Sequence, residues 1–148
     1  MRDSLKAVSI LLRATHNLEE LLRQDIASYG LNPTEFGTLE LLYHQGEQPM
    51  TSICEKLLMA NSSITYVIDK LVEKELVKRV VSTFDKRSNL IDLTDQGRSL
   101  LDAIFPKHRE TIEEVFSVLT DEELEVTKEL LKKIGFHTKE LIQRGSKI

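Results

Sequence analysis

Cysteine is almost absent from this 148-residue chain: Cys54 is its one thiol. One thiol closes no intramolecular disulfide and builds no Cys-rich zinc site. No apolar run approaches the roughly 18 residues that a membrane-spanning helix needs. The opening Met1-Arg2-Asp3-Ser4 lacks the long apolar stretch and small-residue cleavage site of a signal peptide, so a cytoplasmic location is expected. No Gly-rich phosphate loop and no nucleophile motif occur. The four histidines, His16, His44, His108 and His137, are dispersed without metal-ligand spacing. No metal, no cofactor and no enzymatic activity are therefore expected. Internal repeats and low-complexity segments are also missing.

What remains is 41% hydrophobic and 30% charged, the balance of a water-soluble chain able to bury a core. Apolar residues at helical spacing, Leu5, Val8, Leu12, Leu18, Leu22 and Ile26, predict a long first helix that ends at Tyr29-Gly30. Asn32-Pro33-Thr34-Glu35 opens a second helix: Asn caps, Pro suits the first turn, and Glu three residues after the cap completes a capping box. Gly46 stops it. A short third helix starts at the Thr51 cap. A fourth follows the Asn61-Ser62-Ser63 turn and buries Ile64, Val67, Ile68, Leu71 and Val72.

At Leu76 the period changes. Val77–Ser82 and Asn89–Leu93 predict two strands around a polar, basic tip, a hairpin. Thr94 caps a fifth helix that contains Pro106. Thr120, Glu123 and the Leu119/Leu124 staple start a sixth. The fold class expected is mainly α with a small β-hairpin wing. It is a winged helix-turn-helix over residues 31–94, with helical segments 1–30 and 95–148 forming a dimerisation region.

In a helix-turn-helix the second helix enters the major groove of duplex DNA, and its first residues reach base edges. Here those residues are Asn61, Ser62, Ser63, Thr65 and Tyr66, followed by Lys70. Short hydroxyl and amide groups can bond bases or phosphates; they can equally serve as caps. The net charge of −4 taken alone argues against a polyanion partner, but the charge is unevenly distributed. From Asp69 to Arg87 six cations (Lys70, Lys74, Lys78, Arg79, Lys86, Arg87) face four acids (Asp69, Glu73, Glu75, Asp85), a local charge of 6 − 4 = +2. From Glu110 to Lys133 eight acids face three cations, 3 − 8 = −5. The acidity is thus loaded onto the C-terminal helices. Lys86 and Arg87 at the hairpin tip can enter a narrow minor groove, where the negative potential is strongest. Asp85 beside them is wing-stabilising, through side chain–backbone bonds or by pairing with Arg87.

Asp85-Lys86-Arg87 followed by Leu93-Thr94 and Gly97 resembles the wing signature of the MarR family (multiple antibiotic resistance regulators). Leu31 to Phe36 is similar to that family's second-helix start. Thr65, Asp69, Leu71, Leu76-Val77 and Arg79 resemble its recognition helix and first wing strand. The resemblance implies a homodimer built from the first, fifth and sixth helices, bound to a pseudo-palindromic operator, usually as a repressor. It also implies release of DNA by a small, often aromatic, effector held between the dimerisation and DNA-binding parts. His16, Phe36 and Phe105 are the candidate pocket residues. Two departures stand out. Glu75 occupies a position where the family usually has Gly, and a non-Gly residue in a left-handed cap costs about 1 kcal/mol, so a turn of different build is expected. Tyr66 occupies a position where many members have Arg, so no operator sequence carries over.

Two other readings stay open at this stage. Cys54 in the third helix is a small buried hydrophobe or an oxidant-sensing thiol. The winged helix is a DNA reader or a protein-interaction module that never touches DNA; Lys86 and Arg87 favour the first.

Overall fold

A computed structural model describes residues 3–57, 61–81 and 89–146. The order is α1 (Ser4–Ala27), α2 (Pro33–Gln45), β1 (Gln48–Pro49), α3 (Met50–Leu57), α4 (Asn61–Glu73), β2 (Val77–Val81), β3 (Asn89–Leu93), α5 (Asp95–Phe116) and α6 (Asp121–Gly145). The chain divides into two compact units, residues 1–108 and 109–148.

Local sequence sets most boundaries in the first unit. Asp3 caps α1 by accepting the Lys6 amide. Asn32 and Glu35 exchange side chain–backbone bonds at the start of α2, and Gly46 at φ 77 ends it. Ile26 is buried near the end of α1 while Leu5, Val8 and Leu12 near its start are exposed, so only the last turns of α1 contribute to the core. That core joins Phe36, Leu39 and Leu42 of α2, Ile53 and Cys54 of α3, Ile64, Val67, Ile68 and Leu71 of α4, Ile91 and Leu93 of β3, and Leu101 and Ile104 of α5.

The wing sheet has three strands in the order β1-β3-β2, all antiparallel. The hairpin pairs Val77 with Leu93 and Arg79 with Ile91. The third strand, β1, was not expected. Its two residues, Gln48 and Pro49, pair with Ile91 and Leu90. A proline cannot donate to a ladder, which suits it to this edge position.

The corner between α4 and β2 accounts for two parts of the sequence signature. Leu76 N–H donates to Leu71 C=O and Glu75 N–H to Val72 C=O, the two bonds of a Schellman motif. Glu75 sits at φ 61, so the turn keeps the ordinary left-handed build despite lacking Gly, contrary to the expectation of a different turn. Thr94 has three jobs. Its amide donates to Leu76 C=O, its hydroxyl donates to Glu75 C=O at 2.6 Å, and its Oγ1 accepts the Gly97 amide at 3.0 Å. A Cβ at position 97 would overlap the Leu76 carbonyl. Gly97 is therefore required by close approach, which explains the Leu-Thr-x-x-Gly spacing.

Pro106 lies inside α5 without ending it. In the second unit Thr120 and Glu123 form the expected capping box at the start of α6. No residue of α6 is buried.

Candidate nucleic-acid interface

The fourth helix is two-sided. Ile64, Val67, Ile68 and Leu71 face the core, at the i, i+3, i+4, i+7 spacing of one helical stripe. Ser63, Thr65, Tyr66, Asp69, Lys70, Glu73 and Lys74 are exposed. Tyr66 leaves 65% of its surface in water. A phenol that size held on an ordered helix, beside hydroxyls and a cation, is the chemistry that reads base edges and phosphates. Thr65 Oγ1 also reaches Met50 Sδ at 3.8 Å, a weak bond toward α3. The side chains of Asn61 and Ser62, and all of Asp85, Lys86 and Arg87, lie outside the described residues.

The cations of this region are more engaged than a charge count indicates. Arg79 pairs with Asp69 across α4 and β2. Lys70 approaches Glu73 at 3.6 Å and lies 5.6 Å from the Tyr66 ring centroid. Lys74 donates to Glu35 at 2.7 Å. The first two pairs are exposed, hence weak and free to exchange partners with a phosphate; the third ends on a buried carboxylate. Sequence reasoning placed Glu35 in the capping box and missed its second bond, because its partner lies 39 positions away.

The candidate pocket residues divide. Phe36 is buried on α2, and its ring centroid lies 4.6 Å from that of His108. Phe105 stands 6.4 Å from the same imidazole, and also packs near Tyr43 and His44. His16 is exposed on α1. The histidine beside both phenylalanines is therefore His108, whose Nδ1 lies 2.7 Å from Asp25 Oδ2, while Tyr29 donates to Asp25 Oδ1. Next to this cluster, the hydrogen bond to Asp102 raises the Tyr43 pKa above its ordinary value, with desolvation and the Asp102 charge acting the same way. Three cavities flank the start of α2. One of 270 Å³ is lined by Glu19, Leu22, Arg23, Ile26 and Pro33. Another of 240 Å³ is lined by Pro33, Thr34, Gly37 and Leu57. The third, 160 Å³, is lined by Asn32 and Glu35 of the α2 start and by Tyr66, Val67, Lys70 and Lys74.

Cys54 is buried on α3. Among the described residues no group of His, Cys, Asp and Glu has metal-binding geometry. No described helix is long and apolar enough to cross a membrane.

A helix pair joined to a three-stranded wing, with the second helix presenting a polar face, defines a winged helix-turn-helix. A model of the MarR family matches residues 31–88. The HTH-type transcriptional regulator MhqR of Bacillus subtilis is 46% identical over 93% of this chain and 94% of its own length. Among solved structures, AbsC, a MarR family transcriptional regulator from Streptomyces coelicolor, superposes with a TM-score of 0.84 at 22% identity, over 94% of this chain and 97% of that one. A mutant MarR from E. coli complexed with operator DNA gives 0.78 at 20% identity, over 89% and 95%. At such identities these two likenesses speak to the fold alone. The chain belongs to the MarR family of transcriptional regulators and is not an enzyme.

Proposed function

We propose that this protein is a cytoplasmic, homodimeric transcriptional repressor that binds a pseudo-palindromic DNA operator and leaves it when a small effector binds. The observation that carries the reading is the exposed polar face of α4, with Ser63, Thr65, Tyr66 and Lys70 opposite a fully buried stripe. In the E. coli relative of the same fold, operator DNA is the bound partner. Asn61 and Ser62 begin the reading helix, and Lys86 and Arg87 supply the wing's minor-groove cations with Asp85 shaping the tip. Residues 31–94 bind DNA; 1–30 and 95–148 hold the dimer. The effector is aromatic and stacks in the region of Phe36 and Phe105, with His16 at its margin.

Two features support the dimer. The exposed apolar residues of α6, among them Leu130, Leu131, Ile134 and Leu141, are costly in water at about 25 cal/mol per Å². A two-fold partner also brings two recognition helices to one side of a duplex.

The test is a gel-shift titration against duplex covering the DNA that flanks the protein's own gene. Binding should weaken by orders of magnitude between roughly 50 and 200 mM salt, since phosphate contacts release counterions. Arg87→Ala should weaken it further while leaving the melting curve unchanged. Affinity that ignores salt, or no binding to any such duplex, would contradict the reading.

A further inference from the structure

Glu35 has a side chain only 7% exposed, and its two carboxylate oxygens serve different elements. Oε1 accepts the Asn32 amide at 3.1 Å and closes the cap of α2. Oε2 accepts the Lys74 ammonium at 2.7 Å. Lys74 is the residue just before the left-handed Glu75, at the end of the recognition helix. On its other side the same corner is bonded to Thr94, through the Glu75 and Leu76 carbonyls. Between α4 and the start of α2 lies an open cavity. Tyr66, Lys70 and Lys74, at successive four-residue steps of one face, line the 160 Å³ cavity with Asn32, Glu35 and Val67.

We propose that Glu35 and Lys74 are positioning residues for DNA reading. Their ion pair fixes the end of α4 against the start of α2 across that cavity and so sets the pitch at which Tyr66 and Lys70 meet the duplex. This rests on the DNA-binding reading above. Lys74 would otherwise be counted as a phosphate contact, on its charge and its place on the helix. The burial of Glu35 argues against that role. An ammonium that moved to a phosphate would strand a buried carboxylate, and an unpaired buried charge is heavily penalised.

The two roles predict opposite signs. Glu35→Gln keeps an acceptor for the Asn32 cap and removes the charge; Lys74→Met keeps the stem and removes the ammonium. The probe is the tightest duplex that wild-type protein recovers from a random-sequence pool. Each single variant should bind it about tenfold more weakly, and the double variant no more weakly than the worse single, since the two act as a unit. The slope of log affinity against log salt should not change, whereas loss of a phosphate contact would lower it by about one. Glu35→Gln protein that binds as well as or better than wild type, a slope lowered by one in Lys74→Met, or two losses that multiply, would each overturn the proposal. Hydrogen exchange provides a readout without DNA. The amides of Lys74, Glu75 and Leu76 should exchange faster in Glu35→Gln while those of Ile53 and Leu101 stay protected; unchanged exchange at the corner overturns the strut. If wild type recovers no duplex at all, the DNA-binding reading fails, and the exchange result still decides whether the pair holds the helix.

Discussion

Residues 1–108 and α6 draw on the same aliphatic side chains and do opposite things with them. In the first unit Leu39, Leu42, Ile53, Ile64, Ile68, Leu71, Ile91 and Leu101 are wholly withdrawn from water. In α6 Leu130, Leu131, Ile134, Leu141 and Ile142 each leave about half or more of their surface exposed. The difference is not one of helix quality, because α6 has a complete capping box and 25 helical residues. It lies in what each stripe meets within one chain. The first unit closes its core on itself. The stripe of α6 calls for a partner, and the dimer proposed above supplies one.

Breaking that contrast should give the largest effect. Deleting the chain from Thr120 onward removes the exposed stripe and should abolish both dimerisation and DNA binding, read by sedimentation and gel shift; a truncated protein that still dimerises would separate α6 from assembly. Next in size is a change inside the closed core. Ile68 is fully buried on the inner face of α4, and Ile68→Ala should lower stability by about 3 kcal/mol in denaturant unfolding; a loss under about 1 kcal/mol would mean that the core is looser than its burial indicates.

Two substitutions sharpen the account of the α4–β2 corner. Gly97→Ala forces a methyl against the Leu76 carbonyl and should cost about 2 kcal/mol, in the range of overpacking, with a lower melting temperature as the readout. Glu75→Gly relieves the left-handed backbone at φ 61 and should stabilise by about 1 kcal/mol; a destabilised variant would mean that the glutamate side chain contributes more than its backbone strain costs.

Capping boxes and the buried stripe of α4 were legible in the sequence because each depends on residues within a few positions of one another. Asn32 with Glu35, Thr120 with Glu123, and Ile64 through Leu71 all belong to this kind. The Schellman corner does not, because Glu75 stands where a left-handed cap favours glycine. The strand Gln48–Pro49 was not legible: two residues carry no periodicity, and its partner lies some forty positions on. The Glu35–Lys74 bond escaped for the same reason, since a capping role already accounted for Glu35. In the aromatic cluster the sequence grouped His16 with Phe36 and Phe105, but the imidazole beside both rings is that of His108. His108 also meets Asp25, a contact spanning 83 positions, while His16 faces solvent on α1. The tip residues Asp85, Lys86 and Arg87 and the side chains of Asn61 and Ser62 lie outside the described residues, so their roles rest on the sequence and the family.

The central claim is that two copies of this chain, joined through surface that one copy leaves exposed, hold two α4 helices for one palindromic duplex. Sedimentation of the full-length protein, alone and with a palindromic duplex recovered from a random-sequence pool, tests it most directly. The account predicts a dimer at micromolar concentration and a complex of two chains per duplex, with half-sites about one helical turn apart. A monomer that binds a single half-site one-to-one would contradict it.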